Sequence, residues 1–202
     1  MNPRSQRESP KIIEPDLLLA AYASGYFPMA ESRDGEIRWL SPNPRAIIPL
    51  DAFTISRSLR QVLKKNPFEI RLNAAFEEVM RCCAEREETW ISEDIIRSYL
   101  QLHALGFAHS VETWKEGALA GGLYGVALGG AFFGESMFSR ARHASKIALV
   151  HLVERLHERK FELLDTQFIT PHLARFGTIE ISREEYLAFL GKAIHRRCRF
   201  SD

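Results

Sequence analysis

Polar and apolar positions along the chain change their period several times, and each change predicts an element. Pro15 to Gly25 (PDLLLAAYASG) has a short helical pattern, and further helices are predicted over Ser56–Lys64, Ala74–Glu85, Ser92–Leu105, Ala144–Lys160 and Glu184–Ile194. In the longest of these, Ile147, Val150, Val153 and Leu156 share one face. Phe68–Leu72 and Phe161–Phe168 read as strands, and the alternating His109–Trp114 (HSVETW) opens an antiparallel meander. Ala118 to Gly134 is seventeen residues without a charge, close to the length of a membrane span. Its six glycines, the Lys115-Glu116-Gly117 turn before it and Glu135 after it predict instead two buried strands joined near Leu128–Gly130. In Ser41–Leu50 (SPNPRAIIPL) the prolines remove backbone donors, which predicts neither a central strand nor a helix interior.

These elements describe an α+β or mixed-sheet chain with a small, loop-rich N-terminal region to about Leu50, preceded by a disordered arm of ~10 residues. Composition adds mainly exclusions. With 46% hydrophobic and 26% charged residues over 202 positions, the chain is globular rather than fibrous or disordered. Lys+Arg at 27 against Asp+Glu at 26 leaves a net charge of +1, so any site for a polyanion must be a local patch. Three cysteines, two adjacent at Cys82 and Cys83, make no disulfide framework and suit a reducing cytosol. The charged N-terminus has no apolar core behind it, so no secretory signal is expected.

Asp165 and Gln167, two apart in a predicted strand, set a carboxylate and an amide on one face with Leu164 and Thr166 on the other. Such a pair either serves chemistry or is a structurally satisfied polar pair. Glu135, just after Phe132 and Phe133, suits an ammonium, a ribose hydroxyl or the cap of a following loop. Arg140, Arg142, His143 and Lys146 surround the start of the long helix, where a bound phosphate or plain solvation would relieve their repulsion. The basic run from Lys192 to Arg199 reads as solvated. Trp39 and Trp90 stand in polar contexts, as core fillers or as platforms for a base. Seven histidines without HExxH and cysteines without CxxC predict no metal site.

Eight segments in one order carry a family resemblance: GYFPM (25–29), WLSPNPR (39–45), TWI (89–91), GFAHSVETW (106–114), GGLYG (121–125), GESMFS (134–139), ASKIAL (144–149) and DTQFITPHL (165–173). From about Pro15 to Leu190 the sequence resembles leucyl/phenylalanyl-tRNA–protein transferases. The resemblance implies a small N-terminal domain (1–62) followed by a GNAT-like acyltransferase domain (63–202) with a mixed, mostly antiparallel sheet. It implies transfer of Leu or Phe, and less well Met, from aminoacyl-tRNA to the α-amine of proteins beginning with Arg or Lys. The product carries an N-degron in the cytosol. No coenzyme or membrane is implied, and the chain is expected to act as a monomer.

The same resemblance makes Asp165, Gln167 and Glu135 the catalytic candidates. Leu123, Phe132, Met137 and Leu149 correspond to an apolar amino-acid pocket, Trp39 and Trp90 lie near the 3′-terminal adenosine, and Arg140, Arg142 and Lys146 are expected on tRNA. In one account Asp165 orients and polarises the Gln167 amide as a relay; in the other both residues only position, and the ribose 2′-hydroxyl shuttles the proton. Leu40 stands where some members carry a second Trp, and Leu123 where some carry Met. Two other classes compete with this reading. An acetyl-CoA-dependent N-acetyltransferase wraps pyrophosphate with a glycine-containing loop, whereas Ser139–Ser145 (SRARHAS) has no glycine. A non-catalytic RNA-binding module leaves Asp165, Gln167 and Glu135 unexplained.

Overall fold

The computed structural model describes residues 12–33 and 35–201, so the arm expected at the N-terminus lies outside the described residues. Helix α1 (Pro15–Ala23) leads into a two-stranded ribbon, β1 (Phe27–Ala30) with β2 (Ile37–Leu40). Then come β3 (Arg45–Ile48), α2 (Arg57–Lys64), β4 (Glu69–Leu72), α3 (Phe76–Ala84) and α4 (Glu93–Ala104). The meander β5 (Ala108–Lys115), β6 (Ala118–Leu128) and β7 (Ala131–Ser139) is followed by α5 (Ala144–Glu158), β8 (Leu163–Gln167), β9 (Ile179–Ile181) and α6 (Arg183–Ala193).

Seven strands form one sheet in the order β4-β5-β6-β7-β8-β3-β9. Every pairing is antiparallel except β7 with β8, which are parallel and joined by the α5 crossover. The fold is therefore α+β with a mixed, mostly antiparallel sheet. One face packs on α5 through Leu123, Phe132, Ile147 and Leu164. The other packs on α1, α3, α4 and α6 through Leu18, Val79, Ile95, Tyr124 and Leu190. The uncharged glycine-rich stretch is the β6–β7 hairpin, and no helix among the described residues is long and apolar enough to cross a membrane. Its glycines have a packing reason: a Cβ on Gly121 would lie 2.6 Å from the Ala144 Cβ, so α5 can approach β6 only because Gly121 has none.

The proline-rich segment corrects the sequence reading. Arg45–Ile48 is an interior strand, bonded to β8 on one side and β9 on the other. Pro42, Pro44 and Pro49 flank this four-residue stretch without entering it, so every residue of the strand keeps its N–H. Strand β9, three residues long, is too short to show a period and has no signal in the sequence.

A buried carboxylate sets the start of α3. That helix has Ala75 at its N-cap and no side-chain cap of its own. Glu112 of β5 supplies the acceptor, taking hydrogen bonds from the Ala75 N–H at 2.8 Å, the Ser110 hydroxyl at 2.8 Å and the Trp114 indole at 3.0 Å. The far end of α3 and the segment after it thereby keep a fixed relation to the sheet, and they form one wall of the site.

Candidate active site

Strands β7 and β8 pair only over Ala131–Phe133 and Leu163–Asp165. Beyond that, β7 runs on to Ser139 while β8 stops at Gln167, and a cavity of about 670 Å³ is lined by residues of both. Its α5 side is an apolar chamber of Leu123, Met137, Leu149, Leu152 and Leu164. Its other side is walled by Phe27 and Met29 of β1, by Trp90 and by Arg86, whose guanidinium donates to the Met137 carbonyl at 2.6 Å.

Glu135 sits between these halves because β7 bulges. The register passes from Tyr124↔Ser136 to Gly125↔Gly134, leaving Glu135 as the unpaired extra residue. Gly125 permits the bulge, since a Cβ there would fall 2.2 Å from the Phe133 carbonyl oxygen. The Glu135 carboxylate accepts from the Tyr22 hydroxyl at 2.7 Å and the Tyr99 hydroxyl at 3.3 Å, and those two phenols also bond to each other. Burial pushes the Glu135 carboxyl up to about 8, with the Asp165 charge adding to the shift and the two tyrosines and Arg45 opposing it. Burial likewise raises the Tyr22 and Tyr99 phenols, so both remain donors.

At the end of β8, Gln167 turns with a left-handed φ of 58°, and its Nε2 donates to Glu135 Oε1 at 3.4 Å. Asp165 is wholly buried. Arg45 of β3 grips it with two bonds, Nε to Oδ1 at 3.0 Å and Nη2 to Oδ2 at 2.6 Å. The Tyr186 hydroxyl adds a bond at 2.8 Å and the Gln167 backbone N–H another at 2.9 Å. Asp165 thus meets Gln167 at its backbone, and no hydrogen bond joins the Asp165 carboxylate to the Gln167 side-chain amide. An apolar chamber closed by an acid and an amide can bind an apolar side chain and hold polar groups attached to it.

A family model described as leucyl/phenylalanyl-tRNA protein transferase matches residues 47–191, and the model of that family's N-terminal domain matches residues 12–43. This chain belongs to the leucyl/phenylalanyl-tRNA protein transferase family. A leucyl/phenylalanyl-tRNA–protein transferase of Herpetosiphon aurantiacus is 57% identical over 191 residues, spanning 94% of this chain and 99% of its own. Those of Gloeobacter violaceus (53% identical, 93% and 97% covered) and Paramagnetospirillum magneticum (58%, 89% and 88%) are similar along nearly the same length. The solved structure of L-PGS from Bacillus licheniformis is 18% identical, with 81% of this chain and 56% of that one aligned at a TM-score of 0.43. The chain is thus an aminoacyltransferase, with aminoacyl-tRNA and protein as its substrates.

Within this transferase the sequence candidates divide. Glu135, Gln167, Leu123, Met137, Leu149, Trp90 and Arg140 line the cavity. Asp165 does not, being enclosed by Arg45 and Tyr186. Phe132 is wholly buried and packs tilted against Phe200 with ring centroids 5.2 Å apart, in the core beside the chamber. Trp39 pairs with Pro28 in the ribbon, so it faces away from the side on which Phe27 and Met29 enter the cavity. Arg140 donates to Glu85 at 2.8 Å, whereas Lys146 lines a separate groove of about 170 Å³ with His143, Arg175 and Ser56. Arg142 lies on the turn before α5. Among the described residues no group of three or more His, Cys, Asp or Glu is placed to hold a metal ion.

Sequence reasoning missed Tyr22, Tyr99, Arg45, Tyr186, Phe27 and Met29. Phe27, Met29 and Arg45 lie inside two of the segments that carry the resemblance, so a signal was present for them. The tyrosines show no local signal, because their meeting with Glu135 and Asp165 is made by packing between elements distant in sequence.

Proposed function

We propose that the chain transfers Leu or Phe, and less well Met, from aminoacyl-tRNA to the N-terminal α-amine of proteins beginning with Arg or Lys, marking them as N-degrons. The observation that carries this reading is the cavity's division into an apolar chamber, a Glu135–Gln167 polar pair and a Trp90 wall. The amino-acid side chain occupies the chamber, the terminal adenosine lies against Trp90, and the ester linking them falls beside the polar pair. An apolar chamber discriminates by shape alone, where one methylene is worth ~1–3 kcal/mol, so partial acceptance of Met is expected.

The aminoacyl ester is already activated, and the enzyme's task is to hold amine and ester at attack distance, which lowers a barrier by ~7–11 kcal/mol in favourable cases. The attacking amine must be neutral, although its pKa of ~7.7–8 leaves much of it protonated near pH 7. Gln167 gives its Nε2 to Glu135, which leaves its carbonyl oxygen free to accept a hydrogen bond from that amine. The amine nitrogen bonds to the ester carbonyl carbon, the carbon–oxygen bond to the ribose breaks, and the amine's proton ends on the departing ribose oxygen. Glu135, whose carboxyl burial lifts to about 8, also offers its oxygens to a cationic acceptor residue, whose charge would favour the ionised form. Arg140 lines the cavity, Lys146 a neighbouring groove and Arg142 the turn before α5, in keeping with contact to donor phosphates, and the reading takes the chain to act as a monomer. The division into a small N-terminal domain and a GNAT-like domain belongs to the same reading.

The deciding measurement is transfer of radiolabelled Phe from Phe-tRNA to a protein with N-terminal Arg, beside the same protein beginning with Met and beside Val-tRNA as donor. Label on the Arg protein alone is expected. Equal labelling of both proteins, or none of either, defeats the proposal.

A further inference from the structure

The four hydrogen bonds that Asp165 accepts all come from groups of the fold itself: two guanidinium nitrogens of Arg45, the Tyr186 hydroxyl and the Gln167 backbone N–H. A carboxylate has about four acceptor positions, so Asp165 has none left for a moving proton or a side-chain amide. Arg45 is clamped in turn. Its Nη1 donates to the Gly25 carbonyl at 3.2 Å, and its guanidinium lies 4.9 Å from the Phe27 ring and 4.5 Å from the Tyr186 ring. The Gln167 backbone that this assembly reaches has a left-handed φ, uncommon for a residue with a side chain. Phe27, stacked on the same guanidinium, is part of the cavity wall.

We propose that Arg45 and Tyr186 are positioning residues for the transfer reaction: they lock Asp165, and Asp165 holds the Gln167 backbone in the turn that aims its amide into the cavity. This role rests on the aminoacyl-transfer reading above. Asp165 acts in it by geometry, through a backbone N–H, and its charge serves to balance Arg45. A relay that polarises the Gln167 side chain would need that charge for the chemistry itself, and here the two accounts part.

Three variants of the full chain separate them: Asp165→Asn, Arg45→Met and the double variant. Asp165→Asn keeps an oxygen that can accept from the Gln167 N–H but leaves a buried guanidinium unpaired, and Arg45→Met leaves a buried carboxylate unpaired. The double variant has neither charge. Each single change is expected to lower kcat by ~10-fold or more with KM for Phe-tRNA within ~2-fold, and the double to return to within ~3-fold of the parent. A double variant no more active than Asp165→Asn would overturn the positioning role.

Tyr186→Phe covers the case in which the charge-pair variants fail to fold, because it removes a single donor. Its kcat is expected to fall ~2–5-fold at unchanged KM, and its Gln167 amide to exchange with D₂O ~10-fold faster than in the parent. Parental kcat together with parental exchange overturns the proposal. Exchange is read without substrate, so the two failures are distinguishable. A parent chain that transfers no Phe, yet whose Gln167 amide loses protection in Tyr186→Phe, sinks the functional reading while sustaining the lock.

Discussion

Gln167 Nε2 lies 3.4 Å from Glu135 Oε1, which ties the end of β8 to the bulge of β7 across the gap where the two strands no longer pair. The contact orients both groups at once. It uses the donor side of the amide and leaves the acceptor side for another donor, the orientation that the proposed attack by an amine needs. It also places a carboxyl of raised pKa against the centre proposed for transfer, so the protonation of Glu135 becomes measurable.

The first prediction concerns that proton. Burial lifts the Glu135 carboxyl from 4.5 to about 8, in the field of Asp165 and Arg45 and with Tyr22 and Tyr99 donating to it. Between those values the folded chain holds a proton that the unfolded chain has released, so this residue's contribution to stability is complete below about pH 4.5 and is lost as pH rises through about 8. Glu135→Gln removes the dependence. Urea midpoints at pH 5 and pH 8 are expected to differ less in the variant than in the parent, and an equal difference in both would show that Glu135 titrates near its ordinary value.

A buried acid with this behaviour was only half legible in the sequence. The segments GESMFS and DTQFITPHL announced Glu135, Asp165 and Gln167, and the hairpin, α5 and β8 followed from period and glycine content. The bulge that turns Glu135 inward was not readable, because it depends on a register shift against β6. Strict alternation assigned Asp165 and Gln167 one environment. The left-handed turn at Gln167 separates them, one lining the cavity and the other closed off with Arg45. Arg45 itself was hidden by its prolines, which mark the strand's borders and gave the appearance of a loop.

The second prediction concerns the chamber. Met137 is a half-buried side chain of its wall, so truncating it enlarges the space with limited damage to the core. Met137→Ala is expected to lower kcat/KM for Leu-tRNA by ~10-fold more than for Phe-tRNA, since the smaller side chain leaves the larger void and each methylene left unpacked is worth ~1–3 kcal/mol. Competition between the two labelled donors measures the ratio. An unchanged ratio would place the amino-acid side chain elsewhere.

The third concerns the cations at the start of α5. Arg140 is already bonded to Glu85, whereas Arg142 and Lys146 have no acidic partner among the described residues. Arg142→Ala and Lys146→Ala are therefore expected to flatten the salt dependence of tRNA binding, by ~0.7–0.9 in the log–log slope for each phosphate no longer neutralised, and Arg140→Ala to change it less. Binding isotherms between about 50 and 200 mM salt test this, and equal slopes for parent and variants would mean that these charges are only solvated.

The last prediction separates the two tryptophans. Trp90 is part of the cavity wall, and Trp39 is 37% exposed on the far side of the β1–β2 ribbon. A stacked base is worth ~1–3 kcal/mol by alanine substitution, whereas removing a core Trp costs ~3–5 kcal/mol of stability, so the two roles register in different assays. Trp90→Ala is expected to raise KM for aminoacyl-tRNA and for a minimal aminoacyl-adenosine by the same factor, because the terminal nucleoside is common to both. Trp39→Ala is expected to leave KM for the minimal donor within ~2-fold of the parent, since the indole removed does not face the cavity. If Trp90→Ala lowers the melting temperature sharply while the folded fraction keeps parental KM, Trp90 is a packing residue and the adenosine lies against another wall. If Trp39→Ala weakens the minimal donor as strongly as Trp90→Ala does, the nucleoside spans both tryptophans, and the ribbon must move toward the cavity when the donor binds.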